Sequence, residues 1–242
     1  MLAVLRDPVR YACAAAHMTV DIEAINDRLA REHPIDEYYA RSALPIRLIE
    51  RRRLAIIRDL IGPHEGLDIA EVGSGGGHVL RMFPRARLTA IDVSDVFLAI
   101  ARRNLAGFDV RFVKGEVDKL RLPEASFDRI ICTEVLEHTV DPDAILAAMT
   151  RLLGRDGFAV ITVPNDPLIL RLKAGVRRTP LGWMLRDRIS WGGDIYHLHC
   201  WTPAEFQRIL ERYFRVTDRR AAPMNALPIR VCFRCSPRTR NA

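Results

Sequence analysis

The stretch that decides the fold is LDIAEVGSGGGH, at residues 67–78. It begins with a short apolar run of the kind that forms a buried strand, and glycines follow at once. Because glycine has no Cβ atom, it lets the backbone turn tightly and approach a ligand closely. A helix opening after this loop would direct its N-terminal N–H groups toward a carboxylate or phosphate. The stretch therefore predicts a strand, a ligand-binding turn and a helix.

The same pattern of strand, turn and helix continues on the C-terminal side of this stretch. Short apolar runs alternate with amphipathic segments, which predicts right-handed βαβ units and an open, mostly parallel sheet with helices on both faces. The predicted strands are Leu67–Val72, Arg87–Asp92, Asp109–Val113, Phe127–Cys132, Phe158–Val163, Tyr213–Asp218 and Leu227–Cys235. The predicted helices are Gly77–Phe83, Ser94–Asn104, Asp143–Leu153 and Pro203–Arg212, with Gly154 as a stop signal for the third.

The places where this alternating pattern begins and is interrupted suggest the domain organisation. Residues 1–63 have helical apolar spacing and end at Gly62-Pro63, which predicts an N-terminal helical extension. Residues 64–242 then form the α/β domain. The alternation lapses over residues 166–194, where apolar and basic side chains are mixed, and we expect an insertion there.

Composition narrows the class of protein. The chain has 242 residues, of which 49% are hydrophobic and 28% charged, so it can bury a core and is not disordered over most of its length. Its net charge of +7 favours anionic partners without choosing among them. Five scattered cysteines are too few for a disulfide framework, and neither a secretory signal nor a membrane-spanning run is visible. We therefore expect a reduced, cytoplasmic compartment.

Two acidic residues follow the next predicted strands. Asp92 ends the second strand about twenty residues beyond the glycines, where an acid receives ribose hydroxyls in nucleoside-binding α/β folds. Glu116 follows the third strand and is placed to meet an adenine amino group. A dinucleotide fingerprint beginning at Gly73 would need Gly or Ala where His78 stands, which disfavours a nicotinamide oxidoreductase.

These motifs, in this order, resemble the Rossmann-like S-adenosylmethionine-dependent methyltransferases of the type 11/12 domain family. The likeness runs from about Leu67 to Asp218. It implies a seven-stranded, mostly parallel sheet with an antiparallel last strand. The motifs that carry it are E-x-G-x-G-x-G at 71–77, IDVS at 91–94, GE at 115–116, LPEASFD at 122–128, VLEH at 135–138 and residues 153–165.

The resemblance also implies a set of cofactor-binding residues for S-adenosylmethionine. Glu71 and the glycine loop would hold the methionine end, Asp92 the ribose, and Glu116 with the Val117 backbone the adenine. Cys132 and Thr133 would line the sulfonium. The full set is Glu71, Gly73, Ser74, Gly75, Gly77, Asp92, Val93, Glu116, Val117, Cys132 and Thr133.

A second group of residues suggests chemistry near the methyl donor. Glu134, Glu137 and His138 have the spacing of one helical face, and carboxylates with imidazole suit Mg²⁺ or Zn²⁺. The motif looks like the Glu-x-x-Glu-His metal set of ubiquinone-biosynthesis O-methyltransferases. The alternative is that these are structural hydrogen-bonding groups without a metal. Without a metal, an imidazole of His138, His197 or His199 could remove a proton from a hydroxyl acceptor at neutral pH. The candidate catalytic set is His138, Glu134 and His199.

The expected reaction is O-methylation of a small, partly apolar molecule. RNA 2′-O-methylation is an alternative that fits the basic charge and the Glu/His set, although no RNA-binding module is evident, so a nucleic-acid partner is disfavoured. A non-catalytic S-adenosylmethionine-binding protein is another alternative. The insertion at 166–194 would be a lid, a peripheral contact with an anionic membrane, or a packed helical hairpin. The sequence leaves the acceptor, the methylated atom and the oligomeric state open.

Overall fold

A computed structural model describes Asp27, residues 42–184 and residues 197–238. Of the predicted N-terminal extension, Asp27 and the part from residue 42 onward are therefore described. Residues 185–194 of the predicted insertion lie outside the described residues.

The described chain alternates strands and helices along most of its length. The helices are α1 Leu44–Ile61, α2 Asp95–Asn104, α3 Pro142–Leu152, α4 Asp166–Arg177, α5 Pro180–Met184 and α6 Pro203–Leu210, with 3₁₀ turns at Leu80–Met82 and Leu136–His138. The strands are β1 Asp68–Val72, β2 Arg87–Asp92, β3 Val110–Lys114, β4 Phe127–Thr133, β5 Leu153–Pro164, β6 Phe214–Met224 and β7 Leu227–Pro237.

The seven strands form one sheet in the order β3-β2-β1-β4-β5-β7-β6. Strands β1 to β5 are paired in parallel, and β7 runs antiparallel to both β5 and β6. The strand order reverses between β1 and β4, and ligands of open α/β sheets bind at such a point, outside the carboxyl ends of the strands. The predicted Rossmann-like fold with an antiparallel last strand is confirmed.

Helices cover both faces of the sheet, because the central strands are buried on both sides. Strand β2 is buried at every position after Arg87, which is the pattern of a strand covered on two faces. On one face α1 packs its apolar side, including Ile56, Ile57 and Leu60, in a core with residues of β1, β2 and β5. On the other face α3 and α6 enclose a second core. The two cores fix the carboxyl ends of β1, β2 and β4 relative to one another.

One local prediction was wrong. Residues 77–83 form turns and the 3₁₀ segment Leu80–Met82 instead of an α-helix, because Gly77 has a φ of 76° and Pro84 follows the segment. The predicted stop at Gly154 agrees with the structure: α3 ends at Leu152, Leu153 is its C-cap, and the chain passes directly into β5, which contains Gly154.

The described part of the predicted insertion consists of α4 and α5. The side chain of Asn165 caps α4 by accepting a hydrogen bond from Leu168 N at 3.3 Å. Trp183 and Met184 of α5 are exposed. Among the described residues, no helix combines the length and the apolar character needed to cross a membrane.

Candidate active site

The glycine loop after β1 adopts a backbone that other residues rarely take. Gly73, Gly75 and Gly77 have φ values of 68°, 49° and 76°, which is the left-handed region that glycine enters at little cost. The backbone N–H groups of Gly73 and Ser74 both donate to the carbonyl of Ile91, at 2.9 and 3.0 Å. The loop is therefore fastened to the end of β2.

Asp92, at the end of β2, is held by backbone donors. One oxygen accepts a hydrogen bond from Gly75 N at 2.8 Å, and the other accepts one from Ser94 N at 2.9 Å. Burial raises the pKa of this carboxyl above its usual value, and these backbone hydrogen bonds oppose the rise. The side chain of Ser94 donates in turn to Asp27 at 2.5 Å, which places Asp27 beside the predicted ribose site.

Two buried polar atoms at the glycine loop lack a hydrogen-bond partner among the described residues. They are Oε2 of Glu71 and Oγ of Ser74. Only 1% of Glu71 is exposed, and burial raises the pKa of its carboxyl well above the usual value, with the Arg53 guanidinium acting in the opposite direction. Buried polar groups in folded proteins are normally paired. An unpaired carboxylate oxygen and a hydroxyl beside this loop fit the charged amino-acid end of the predicted cofactor.

The remaining predicted cofactor residues lie at the carboxyl ends of β2, β3 and β4, in different environments. Glu116 pairs with Lys119 at 2.5 Å, while Val117 is buried. Cys132 is fully buried in the core, so its thiol does not line an open surface. Thr133 does reach the site, since its hydroxyl lies 3.4 Å from Oε1 of Glu71. Val93 is half-buried between Asp92 and Ser94.

Glu134 begins the other side of the site, beyond the end of β4. Its φ of 54° is unusual for a residue other than glycine, and such strained positions cluster at functional sites. Its carboxylate accepts a hydrogen bond from Thr162 Oγ1 at 3.0 Å and pairs with Arg230 Nε at 2.8 Å. Because the backbone leaves helical geometry here, Glu134 and Glu137 do not share the helical face that their spacing predicted.

Glu137, His138 and His197 form a compact cluster. One ligand atom from each lies within 4.8 Å of the other two. Both carboxylate oxygens of Glu137 are buried and without a hydrogen-bond partner in the described part of the chain. Burial, and then the nearby Glu134, raises the pKa of this carboxyl well above its usual value. The structure thus joins two of the three predicted metal ligands to His197, while Glu134 is held by Arg230.

Asp166, the first residue of α4, orients His197. Its carboxylate lies 2.7 Å from Nδ1 of the buried imidazole. A carboxylate accepts the Nδ1 proton, so the lone pair of the neutral ring is at Nε2. The imidazole rings of His138 and His197 meet edge to face, with centroids 4.7 Å apart.

His199, the third candidate catalytic residue, lies in a different setting. Its Nε2 contacts the carbonyl of Thr139 at 2.9 Å, and its ring stacks on Trp201 with centroids 4.8 Å apart. These contacts join the segment before α6 to the turn after Glu137. The structure therefore places His138 in the cluster, Glu134 beside it and His199 in a packing contact.

Sequence reasoning missed several features of this site. Asp166 and Arg230 carried no motif, and His197 was predicted as an alternative base but not as a member of the ligand set. His197 stands only two residues from His199, and an H-x-H pair beside an aromatic residue was the signal available. Nothing local marked Arg230, because its role depends on β7 lying next to β5.

The fold is an open α/β sheet, and at its carboxyl edge a glycine loop with buried unpaired oxygens lies near a cluster of one acid and two histidines. Residues 70–161 match the methyltransferase domain family. The chain is 30% identical over 197 residues to the ubiquinone biosynthesis O-methyltransferase of Paramagnetospirillum magneticum, covering 76% of this chain and 75% of that relative. The chain therefore belongs to the family of S-adenosylmethionine-dependent methyltransferases, and the predicted resemblance is confirmed.

Other relatives match over shorter segments. The enzyme of the same name from Alkalilimnicola ehrlichii is 30% identical over 126 residues, which cover 50% of this chain and 51% of that relative. The chain thus spans about half the length of that relative. Magnesium protoporphyrin IX methyltransferase from Synechocystis, solved with bound S-adenosylhomocysteine, has a TM-score of 0.63 at 14% identity and covers 90% of this chain and 100% of that chain. This last likeness concerns the fold.

Proposed function

We propose that this protein transfers a methyl group from S-adenosylmethionine to an oxygen atom of a small, partly apolar molecule. The observation that carries the proposal is the presence of two groups of buried polar residues at the carboxyl edge of the sheet, which we take as the cofactor compartment and the acceptor compartment. A glycine loop with unpaired buried acceptors lies on one side of the end of β4, and a buried Glu/His cluster lies on the other. The relatives named ubiquinone biosynthesis O-methyltransferase support an oxygen acceptor.

The cofactor half of the site suits a cationic nucleoside. The unpaired Glu71 oxygen would accept from its ammonium group, and Asp92, already fixed by two backbone N–H groups, would accept from the ribose. A sulfonium-bound methyl group is already activated, so the protein has chiefly to bind it, exclude water and align the acceptor. Carboxylates near a positive centre also stabilise it electrostatically.

The second compartment would receive the acceptor and its proton. Methylation of a hydroxyl requires that the oxygen lose its proton as it attacks the methyl carbon. In its neutral form, with Nδ1–H donated to Asp166, His197 would offer the lone pair of Nε2 to the proton, and the His138 ring packs against it. Imidazole is suited to accept a proton at neutral pH. We propose this pair, in place of His199, as the acceptor's base.

The same cluster fits a divalent cation. Two buried, unpaired oxygens of Glu137 and two imidazoles offer donors suited to Zn²⁺ or, with added water, Mg²⁺. A bound cation would lower the pKa of the acceptor hydroxyl as a Lewis acid. We propose Glu137, His138 and His197 as its ligands, with Asp166 fixing the His197 ring, as carboxylates commonly do beside metal-bound histidines. The two roles are alternatives: the imidazoles would act as the base in the metal-free protein and as ligands when the cation is bound.

Transfer of labelled methyl groups tests the reaction. The protein is incubated with methyl-labelled S-adenosylmethionine and a fractionated cell extract, and label is expected in small lipid-soluble molecules. Label in RNA would favour 2′-O-methylation, and label in no fraction, with S-adenosylhomocysteine still bound, would favour a non-catalytic protein. Absence of any calorimetric response to S-adenosylhomocysteine would contradict the proposed cofactor.

The cation has its own test. Titration of Mg²⁺ and Zn²⁺ into EDTA-treated protein is expected to give a binding isotherm that Glu137→Gln removes. Equal heats for the two proteins would contradict the assignment, whatever the activity of either.

A further inference from the structure

A buried network of charged residues joins helix α1 to the acceptor side of the site. Its four members are Glu50 and Arg53 of α1, Arg230 of β7 and Glu134 after β4. Glu50 pairs with Arg53 at 2.8 Å and with Arg230 at 3.5 Å, and Arg230 pairs with Glu134 at 2.8 Å. Two carboxylates and two guanidinium groups leave the network formally neutral.

Because these ion pairs are buried or partly buried, their electrostatic interaction is stronger than that of ion pairs at the surface. The side chains of Glu50 and Arg53 are 8% and 5% exposed, and those of Glu134 and Arg230 are each 22% exposed. Screening by water and salt is weak at such positions. Removing one partner of a buried pair also leaves the other charge uncompensated. The position of each charged group is therefore tied to that of its neighbours.

Arg230 is itself firmly placed. It is paired in the sheet with Pro164 at the end of β5 and with Ala222 of β6. The adjacent Ile229 carbonyl accepts a hydrogen bond from Asn165 N at 3.0 Å, and the Asn165 side chain donates to the Pro228 carbonyl at 3.0 Å. These bonds hold the start of β7 at the carboxyl edge of the parallel strands, where the site lies. The Arg230 side chain therefore reaches the Glu134 carboxylate from a fixed backbone position.

Glu134 needs such fixing. Its left-handed backbone projects it from the end of β4, directly after Thr133, whose hydroxyl approaches Glu71 of the cofactor half. Thr162 holds one carboxylate oxygen and Arg230 the other. The carboxylate therefore lies at the junction of the two compartments, with one charged partner and one neutral one.

We propose that Arg230 is a positioning residue for methyl transfer. It holds Glu134 at the junction between cofactor and acceptor, and Glu50 makes α1 part of that arrangement. The inference rests on the proposed function, because the junction matters only if a methyl group crosses it. The predicted cofactor residues Glu71, Asp92 and the glycine loop follow β1 and β2, on the far side of β4 from Arg230. Of the network, it is Arg53 whose charge acts on Glu71, so replacing Arg230 is expected to leave cofactor binding largely intact.

The test separates turnover from cofactor binding. Arg230→Met is expected to lower kcat by about 100-fold, the loss typical of a misplacement of about 1 Å at a reacting centre. The Kd for S-adenosylhomocysteine and the KM for S-adenosylmethionine are expected to stay within about threefold of wild type. Arg230→Lys, which keeps the charge, is expected to restore kcat to within about tenfold, and Glu50→Gln to lower it in the same direction by a smaller factor.

Arg87→Met is the matched control. Arg87 also pairs with a carboxylate from a strand of the sheet, Asp68, but at the amino edge and in an exposed position. It is expected to leave kcat unchanged. Near-UV circular dichroism establishes that each variant is folded. If Arg230→Met does not fold, Glu50→Gln decides the question, because Glu50 is a charged partner of Arg230.

Two results would overturn the inference. One is a folded Arg230→Met protein with wild-type kcat or, where that variant does not fold, a Glu50→Gln protein with wild-type kcat. The other is a loss of cofactor affinity equal to the loss of kcat, which would indicate general disruption. Failure of the wild type to bind S-adenosylhomocysteine or to transfer label would instead contradict the proposed function.

Discussion

Gly73 offers a direct test of how the glycine loop is built. A Cβ atom at this position would lie 2.4 Å from Cγ2 of Val135, and the residue has a φ of 68°. Gly73→Ala therefore meets two separate penalties, a left-handed backbone and a steric overlap. Gly66 separates them, because its φ is 71° and a Cβ atom there would have nothing within 4 Å.

The magnitudes follow from these two environments. A left-handed backbone costs a non-glycine residue roughly 1–2 kcal/mol, which is the whole expected effect of Gly66→Ala. Overpacking adds roughly 1–3 kcal/mol, so Gly73→Ala is expected to destabilise the protein by about 2–5 kcal/mol. In a Val135→Ala background the overlap is removed, and adding Gly73→Ala should then cost only about 1–2 kcal/mol.

Urea unfolding of the four proteins and the wild type, followed by far-UV circular dichroism, measures these free energies. Calorimetry with S-adenosylhomocysteine supplies a second readout: Gly66→Ala is expected to bind normally, and Gly73→Ala more weakly. If Gly73→Ala and Gly66→Ala destabilise equally, or if Val135→Ala brings no relief, the close approach of Val135 to the loop does not determine its structure.

Three further predictions concern the site and the insertion. Glu71→Gln should weaken S-adenosylhomocysteine binding yet stabilise the unliganded protein at pH 8. The reason is that folding raises the pKa of the Glu71 carboxyl. This group therefore destabilises the folded state increasingly as the pH rises above its unfolded pKa of about 4.3, until the folded pKa is passed. If the urea midpoints of both proteins fall equally from pH 5 to 8, the prediction is wrong. His199→Ala should retain most of kcat while His197→Ala loses at least about tenfold, because the base lies in the Glu137 cluster, and the reverse order in a steady-state assay would restore His199 as the base. Because Trp183 and Met184 are exposed, anionic vesicles should retain the protein in flotation, and Trp183→Ser should reduce retention; equal flotation of both proteins would place the contact elsewhere.

The sequence predicted best what depends on neighbouring residues. The apolar run at Arg87–Asp92 became β2 with the same bounds, and Ser94 caps α2 by accepting a hydrogen bond from Phe97 N at 3.1 Å. Strand periodicity and capping act over a few residues, so a local pattern carries them. The acid at the end of β2 could be placed for the same reason.

The acceptor half was harder to predict because distant segments build it. Spacing alone put Glu134, Glu137 and His138 on one helical face, but the left-handed Glu134 breaks that face. Its carboxylate turns to Arg230, nearly a hundred positions further along the chain. His197 enters the cluster because the backbone N–H groups of Leu198 and His199 bond the carbonyl of Glu137, at 2.7 and 3.1 Å. Such long-range pairings have no signature in a single sequence.

The order of the last two strands has a consequence for how the protein matures. Strand β7 is interior, between β5 and β6, although it comes last in sequence among the described strands. A polypeptide in which β1 to β5 had already assembled would therefore lack Arg230 beside Glu134 until the hairpin of β6 and β7 added to the sheet. The proposed acceptor side of the site would then be completed after the residues predicted to bind the methyl donor.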